Sequence, residues 1–270
     1  MSLLHAILLG LIQGATEFLP ISSSGHLALA HYFFGVTEAG LAFDVGLHLG
    51  TLVAIVVYFR DDLLTMAAAL LPPNRQNGGH RHHRRLFWFL AAATIPGVIA
   101  GLLLEEAAET SLRHPAMVAA TLSAAGLLLL IADRNGGRSR SFDTLTLKDA
   151  LIIGCSQALA IVPGVSRSGI TITAGLFRHL DRQAAVRFSF LLSAPIIFGA
   201  GIYKIPEIVT NGLLTDHLAA YVAGFAAAAF SGYLFIAFLM RFVRARSFAI
   251  FAYYRFGLSA VVLLALLLTA

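Results

Sequence analysis

The sequence predicts an all-α polytopic membrane protein, with six transmembrane helices and two re-entrant helix-loop-helix hairpins arranged as an inverted-topology repeat. Three observations lead to this prediction. Of the 270 residues, 58% are hydrophobic and only 12% are charged, whereas soluble domains carry about 25% charged residues. The basic residues are concentrated in a few connecting segments, and two apolar stretches are interrupted by polar residues. Residues 1–270 are therefore expected to form a single membrane domain.

Six segments are apolar enough to cross a bilayer, which requires about 20 residues. They are residues 41–59, 86–104, 115–132, 188–205, 218–240 and 248–268. Most of the 19 Lys and Arg residues lie in the connecting segments 60–85, 133–148, 178–187 and 241–247. The positive-inside rule places these segments in the cytoplasm. The same rule explains the net charge of +5, so no nucleic-acid partner is expected.

Two further apolar stretches do not fit as spans. Residues 3–34 contain Gln13, Glu17, Pro20 and a serine run in mid-course, and residues 149–177 are interrupted by the sequence VPGVSRSG. The second stretch has a basic flank at both ends, so both ends are predicted to lie on one side of the membrane. Non-helical backbone occurs at membrane depth only where protein or a water-filled cavity surrounds it. Both stretches are therefore predicted to be re-entrant hairpins.

The two predicted hairpins resemble each other in sequence. A shift of 144 residues aligns five identical pairs: Gly10 with Gly154, Gln13 with Gln157, Ser22 with Ser166, Ser24 with Ser168, and Gly25 with Gly169. Three predicted spans follow each hairpin, and because three is odd, the second copy must enter the membrane from the opposite face. We therefore predict inverted repeats over residues 1–132 and 145–270, joined by a basic cytoplasmic loop at 133–148. Their two bends should meet near the midplane.

The first bend combines a carboxylate with hydroxyl groups. Gln13 and Glu17 are spaced i,i+4, so both project from one face of a helix. Pro20 discourages continuation of that helix, and the serines at 22–24 lie where a second half-helix should begin, serine being a favoured N-cap. His26 follows in the first turn of that second helix.

The second bend adds positive charge. The chain is interrupted at Pro163 and Gly164, and the predicted start of another helix is surrounded by Ser166, Arg167, Ser168 and Thr171. Helix N-termini present free N–H groups and a partial positive charge. Two such termini converging with Arg167 would form an anion site that suits phosphate.

Purely structural explanations compete with this one. A serine run after proline is usually an N-cap, a lone histidine in a membrane often only packs, and Glu17 with Arg167 can form a structural ion pair. Ionisable groups at membrane depth are costly, however, and by default indicate function. Because Glu17, His26 and Arg167 are expected to converge, we favour function. Arg255, in the last span, stays open: it either extends to the cytoplasmic surface or pairs within the bundle.

The sequences QGATEFLPISSSGH and PGVSRSGIT resemble the two signature motifs of the bacterial undecaprenyl-diphosphate phosphatase family, also known for bacitracin resistance. The first motif reads (E/Q)-x-x-x-E followed by P-x-S-S-x-G-H, and the second reads P-G-x-S-R-S-x-x-T. Both are complete here and in the same order, and the resemblance extends over essentially the full chain. Gln13 stands at the first motif position in place of glutamate, which weakens any mechanism that requires two carboxylates.

The resemblance implies hydrolysis of undecaprenyl diphosphate, a C55 isoprenoid diphosphate, to undecaprenyl phosphate and inorganic phosphate. This reaction recycles the lipid carrier for peptidoglycan and other envelope polymers and confers resistance to bacitracin. The family also implies the bacterial cytoplasmic (inner) membrane, an active site that opens to the periplasm, and dependence on a divalent cation. Mg²⁺ or Ca²⁺ is expected, with Glu17 and Gln13 as candidate oxygen ligands.

The residue chemistry fits phosphoryl transfer, which requires positioning of the phosphate and neutralisation of its charge. The predicted catalytic residues are Glu17, Ser23, His26 and Arg167. Ser23 matches the family's central serine and is the candidate nucleophile, with Glu17 or His26 as its general base. In the competing version, water attacks and Ser23 only binds phosphate. The predicted substrate-binding residues are Ser22, Ser24, Gly164, Ser166, Ser168 and Thr171.

A secondary transporter or flippase of a phosphorylated lipid is the alternative function, because inverted repeats with broken helices are also typical of transporters. Such a protein would release no inorganic phosphate. An intramembrane serine protease is disfavoured, since Arg167 would then have no purpose. A homodimer is a further expectation, because Gly10 and Gly14 have the spacing of close helix packing, although packing within the chain explains them better.

Overall fold

The computed structural model describes residues 2–34, 40–71, 78–109, 114–210 and 213–269. Within these ranges the chain folds into helices joined by turns, with one isolated β-bridge between Arg140 and Leu180. In chain order the α-helices are α1 Leu3–Phe18, α2 Ser23–Phe34, α3 Gly40–Tyr58, α4 Arg60–Ala68, α5 Gly78–Glu109, α6 Pro115–Asn135, α7 Leu147–Ser156, α8 Arg167–Phe177, α9 Arg182–Thr210, α10 Leu213–Phe242 and α11 Ala249–Thr269. For the described residues, the all-α prediction is confirmed.

Among the described residues, five helices contain a segment long and apolar enough to cross a membrane: Arg81–Leu104, Pro115–Asn135, Arg182–Lys204, Leu218–Phe242 and Ala249–Leu268. A sixth candidate consists of α3 and α4, which are bent by 73° relative to each other. These candidates overlap the six predicted spans, and the chain is a multi-pass membrane protein. Part of the segment 60–85 is helical: α4 occupies Arg60–Ala68, with Asp61 and Asp62 in its first turn, where acidic residues stabilise a helix start.

Both interrupted stretches are broken where the sequence predicts. α1 ends at Phe18, two residues before Pro20, and α2 begins at Ser23. After α7 the chain forms a 3₁₀ turn at Gln157–Ile161 and bends again before α8 begins at Arg167. Each stretch therefore consists of two helical arms around an irregular bend.

The two bends share an unusual backbone conformation. The residue before α2, Ser22, has a φ of 77°, and the residue before α8, Ser166, has a φ of 72°. Non-glycine residues rarely adopt positive φ. Each serine caps the helix that follows, because Ser22 Oγ accepts a hydrogen bond from Gly25 N at 3.2 Å and Ser166 Oγ accepts one from Gly169 N at 3.1 Å. The aligned serines thus have the same local geometry.

Arg255 on α11 holds the two bends together. Its side chain is fully buried. Its Nη2 donates hydrogen bonds to Gly164 O at 2.6 Å and Val165 O at 2.7 Å, and its Nη1 donates to Pro20 O at 3.4 Å. Of the two interpretations left open by the sequence, pairing within the bundle is therefore confirmed. The guanidinium satisfies backbone carbonyls that irregular turns leave unpaired.

The second bend also depends on glycine. Gly164 has a φ of +94°, and a Cβ there would overlap Thr121 Oγ1 on α6. Thr121 Oγ1 donates a hydrogen bond to Pro163 O at 2.6 Å. Both conformation and close approach to α6 therefore require glycine at this position.

The first arm of each hairpin packs closely on a helix of the other half of the chain. On α1, a Cβ at Gly10 would overlap Gly224 O, and one at Gly14 would overlap Ser231 Oγ, both on α10. On α7, a Cβ at Gly154 would overlap backbone atoms of Ala93 on α5. The spacing of Gly10 and Gly14 thus serves close packing within the chain. In addition, α3 packs against α9 and α6 packs against α11.

Described residues of all four basic connecting segments meet at one end of the bundle, which we call the basic face: Asp62, Asp143, Asp181 and Arg244 line one cavity there. There Asp149, which is fully buried, accepts hydrogen bonds from Arg140 Nη2 at 2.6 Å and Arg178 Nε at 2.8 Å. Thr146 and Asp149 form a capping box at the start of α7. Burial alone would raise the pKa of Asp149, but hydrogen bonds from Arg140, Thr146 and Arg178 outweigh it and hold the pKa below its ordinary value.

We expect Asp149→Asn to lower the free energy of unfolding by about 3 kcal/mol, because removing one member of a buried ion pair leaves the other uncompensated. The depressed pKa means that the carboxylate stabilises the fold above its ordinary pKa and loses this effect only as the pH falls through the lower value. Thermal unfolding in detergent at neutral pH measures the difference. Asp61→Asn is the matched control, since the Asp61 side chain is 90% exposed, and an equal loss in both variants would contradict this expectation.

We expect Arg255→Lys to destabilise the protein by about 2 kcal/mol or more, because one ammonium group cannot replace a planar guanidinium that bridges three carbonyls. The thermal unfolding midpoint of the variant should fall well below that of Arg246→Lys, whose side chain lies exposed on the basic face. Equal midpoints for the two variants would show that the bends do not depend on the guanidinium.

Candidate active site

Glu17 is the centre of a polar cluster between the two bends. Its side chain is only 5% exposed and forms an ion pair with Arg167 through Oε1. Its other oxygen, Oε2, accepts hydrogen bonds from Ser23 Oγ at 2.7 Å and from Gln13 Nε2 at 3.0 Å. Of the three residues expected to converge, Glu17 and Arg167 are therefore in contact, and Ser23 joins them, whereas His26 has other partners.

The helix starts position these side chains. Ser23 is the first residue of α2 and Arg167 is the first residue of α8, and the two lie 144 positions apart in the sequence, at equivalent places in the alignment of the hairpins. Glu17 lies in the last turn of α1 and Gln13 lies one turn earlier, on the same buried face. Ser168 Oγ donates to Leu19 O at 3.2 Å and so joins α8 directly to the first bend.

A cavity of about 330 Å³ opens beside this cluster. Polar side chains line one part of it: Glu17, Ser23, Ser24, His48, Gln157, Ser166 and Arg167. Apolar residues and glycines of α3, α5 and α9 line most of the rest, among them Val45, Gly97 and Ile197, and the 3₁₀ turn adds Ala160 and Ile161. The cavity therefore combines a polar wall, formed mainly by the two bends, with an apolar wall.

His48 is a residue of this cavity that the sequence analysis missed. Its Nε2 lies 3.6 Å from Glu17 Oε2, and its Nδ1 donates to Asp44 O at 2.7 Å. The sequence did contain a feature that could have identified His48. It is an ionisable side chain within the predicted span 41–59, and such residues are rare at membrane depth. The contact with Glu17 depends on the packing of α3 beside α1, which the sequence pattern does not reveal.

His26 does not line the cavity. Its Nδ1 donates to Ser22 O at 2.7 Å, and its Nε2 contacts the hydroxyl of Tyr254 at 2.7 Å. The rings of His26 and Tyr254 are stacked, with centroids 5.7 Å apart. Both ring nitrogens are thus occupied by the first bend and by α11.

The predicted substrate-binding residues separate into two groups. Ser24 and Ser166 line the cavity. Ser22, Gly164, Ser168 and Thr171 do not line it and instead lie within or beside the bends. Thr171 Oγ1, for example, is hydrogen-bonded to Ser189 Oγ at 2.6 Å.

The oxygen donors near Glu17 fit a divalent cation that is shared with a phosphorylated ligand. Within the described ranges, no group of three His, Cys, Asp or Glu side chains could hold a metal ion. Gln13 Oε1, however, is buried without a hydrogen-bond partner there, one turn of helix from Glu17. Mg²⁺ is commonly bound through one or two carboxylates together with substrate phosphates, and this donor set agrees with that pattern.

Comparison with known proteins gives a consistent result. Residues 6–261 match the family described as bacitracin resistance protein BacA. Proteins named undecaprenyl-diphosphatase are similar over nearly the whole chain. The one from Rubrobacter xylanophilus is 48% identical over 271 residues, covering 99% of this chain and 100% of its own. Those from Gemmatimonas aurantiaca and Moorella thermoacetica are each 48% identical over 262 residues, covering 97% of both chains. The chain therefore belongs to the bacitracin resistance protein BacA family.

Proposed function

We propose that the protein hydrolyses undecaprenyl diphosphate to undecaprenyl phosphate and inorganic phosphate in the bacterial cytoplasmic membrane, recycling the lipid carrier and conferring bacitracin resistance. The observation that carries the proposal is the contact of one carboxylate, Glu17, with both a serine hydroxyl and an arginine beside a cavity. The printed names of the relatives agree with this activity.

Substrate binding changes the partners of Glu17. Without substrate, the charges of Glu17 and Arg167 offset each other. A diphosphate carries more negative charge than one carboxylate, so it competes for the guanidinium, which is suited to bidentate phosphate binding. The N-termini of α2 and α8 add N–H donors beside it. Glu17 then keeps its hydrogen bonds from Ser23 and Gln13.

This hydrogen bond sets up the chemical step. Ser23 Oγ lies 2.7 Å from Glu17 Oε2, within the range for proton transfer to a general base. In the nucleophilic route, Glu17 accepts the hydroxyl proton, Oγ forms a bond to the terminal phosphorus, and the phosphoanhydride bond breaks to release undecaprenyl phosphate. Water then cleaves the phosphoserine, which regenerates Ser23. In the alternative route, Glu17 accepts a proton from water as the water oxygen bonds to the terminal phosphorus, and Ser23 binds a phosphate oxygen. The phosphoanhydride bond breaks, and undecaprenyl phosphate and inorganic phosphate are released.

A divalent cation, Mg²⁺ or Ca²⁺, forms part of the proposal. Glu17 and Gln13 would hold it together with the diphosphate. Such a cation supplies charge neutralisation for the phosphate oxygens. His26 would act on Ser23 through the first bend, since it holds Ser22 O. Ser24 and Ser166 would contact the diphosphate in the cavity, while Ser22, Gly164, Ser168 and Thr171 would contribute by fixing the bends.

We also propose that six spans and two re-entrant hairpins form inverted repeats over 1–132 and 145–270, with the cavity open to the periplasm. Two features support the repeat. α1 packs on α10 as α7 packs on α5, while α3 pairs with α9 and α6 with α11. The bends share a capping serine with positive φ. The basic face then lies in the cytoplasm. A homodimer remains an expectation that none of these contacts requires.

We expect Glu17→Gln, Ser23→Ala and Arg167→Ala each to lower the kcat for phosphate release from undecaprenyl diphosphate by about 10³-fold or more. The first removes the general base, the second removes the serine hydroxyl that attacks or binds the phosphate, and the third removes the guanidinium that binds the diphosphate. Phosphate release by purified protein in lipid nanodiscs is the measurement, with Ser141→Ala and Arg84→Ala as controls remote from the cavity. Near-normal turnover by Arg167→Ala, or binding without phosphate release by the wild-type protein, would contradict the proposed function. The second result would favour a transporter.

Only the nucleophilic route passes through a covalent intermediate, a phosphoserine at position 23. If Ser23 is the nucleophile, rapid quenching in acid after mixing with undecaprenyl diphosphate labelled in the terminal phosphate should trap radioactive phosphoserine at position 23, because that route proceeds through a covalent ester. Ser23→Thr, which keeps a hydroxyl, should retain some label, whereas Ser23→Ala should retain none. Absence of label at all times during a single turnover would support direct attack by water.

A further inference from the structure

His48 is not used in the proposed chemical step, although it lines the cavity beside Glu17. Its side chain is 34% exposed, and its Nε2 lies 3.6 Å from Glu17 Oε2. This separation is too long for a hydrogen bond, in which the donor and acceptor atoms lie about 2.7–3.2 Å apart. The imidazole therefore lies close to the carboxylate without forming a hydrogen bond to it.

The other ring nitrogen of His48 fixes the orientation of the ring. Asp44 O lies 2.7 Å from Nδ1, and because a carbonyl oxygen only accepts, the proton of this hydrogen bond belongs to Nδ1. In the neutral ring, Nε2 then carries a lone pair near an oxygen that has lone pairs of its own. A histidine that binds a metal through one ring nitrogen almost always donates from the other to a carbonyl, a carboxylate or water. His48 has this arrangement.

The distance between the two acceptors suits a cation held by both. Two ligands that lie about 2.0–2.4 Å from one metal ion, at angles of about 90–110°, are about 3–4 Å apart. The separation of 3.6 Å between His48 Nε2 and Glu17 Oε2 falls within this range. Arg167 contacts the other oxygen, Oε1, so a cation and the guanidinium would use different oxygens of Glu17.

Gln13 can supply a further donor. Its side chain is fully buried, and in the part of the chain that the structure describes its Oε1 has no hydrogen-bond partner. Its Nε2 lies 3.0 Å from Glu17 Oε2. Rotating the amide by half a turn exchanges Oε1 with Nε2, which gives a separation that again suits two ligands of one metal ion. The donors are then one carboxylate oxygen, one amide oxygen and one imidazole nitrogen.

We propose that His48 is a third protein ligand of the divalent cation, beside Glu17 and Gln13. The inference rests on the cation that forms part of the proposed function, and phosphate oxygens and water complete the coordination. Mg²⁺ and Ca²⁺ suit oxygen ligands, whereas imidazole suits transition metals, and Mn²⁺ accepts carboxylate and water as well. A site with one imidazole among oxygen donors therefore favours Mn²⁺ over Ca²⁺.

Mn²⁺ is paramagnetic and can therefore report its own ligands. Protein in nanodiscs, without substrate, is titrated with Mn²⁺, and binding is measured from the loss of the free-ion signal in electron paramagnetic resonance. Electron spin echo modulation then detects the nitrogen of an imidazole that is bound to the ion, and competition gives the affinity for Ca²⁺. The variant is His48→Gln, which replaces the imidazole by an amide. The matched control is His5→Gln, whose side chain is exposed near the start of α1.

We expect Mn²⁺ bound to the wild-type protein and to His5→Gln to show coupling to an imidazole nitrogen, and His48→Gln to lose this coupling. The Mn²⁺ affinity of His48→Gln should fall by about tenfold or more, since loss of even a residue that orients a metal ligand costs about 10–100-fold. Its Ca²⁺ affinity should change by less than about threefold, because Ca²⁺ gains little from imidazole.

The wild-type measurement tests the inference even if the variant does not fold. Failure of the wild-type protein to bind Mn²⁺, or absence of nitrogen coupling from the bound ion, would overturn it. Persistence of the coupling in His48→Gln, or equal losses of Mn²⁺ and Ca²⁺ affinity, would also overturn it and assign His48 to an ion pair with Glu17. The proposed function is judged separately, since it fails if the wild-type protein releases no phosphate from undecaprenyl diphosphate.

Discussion

The structure depends on one ion pair between two interrupted helices. Glu17 and Arg167 belong to different hairpins, and each would be costly at membrane depth without the other. Their contact requires that both bends reach the same position in the bundle, and Arg255 fixes that position by donating to carbonyls of both. A buried pair broken on one side is strongly destabilising. The same interaction that brings the bends together therefore also assembles the cluster at which Ser23 lies.

The bends have equivalent geometry and different chemistry. Ser22 and Ser166 share a positive φ and the same capping hydrogen bond, so the residues after them, Ser23 and Arg167, project from equivalent places. One repeat position thus supplies a hydroxyl and the other supplies a guanidinium, and both reach Glu17. On the proposed inverted repeat, a symmetric scaffold presents an asymmetric pair of groups to one phosphate.

Local sequence signals predicted the helices, the two bends and the meeting of Glu17 with Arg167, because proline, glycine and capping serines act on neighbouring residues. His26 was expected at the same point, but it contacts Ser22 O and Tyr254 instead. Contacts made by distant helices were not predictable in the same way. The position of His48 depends on how α3 packs, and Arg255 finds its carbonyls 91 and 235 positions away. The basic segments were interpreted only as signals of topology, although Arg140 and Arg178 also pair with buried Asp149.

The cavity must admit two reactants of opposite character, because hydrolysis consumes a water molecule as well as a lipid. Its polar wall, with Ser24, Ser166 and Arg167, can hydrogen-bond water and phosphate, whereas the wall formed by α3, α5 and α9 is mostly apolar. The ion pair contributes here too. On the proposed mechanism, Arg167 holds Glu17 until a phosphate competes for the guanidinium, and proton abstraction by Glu17 is thereby coupled to the arrival of the substrate.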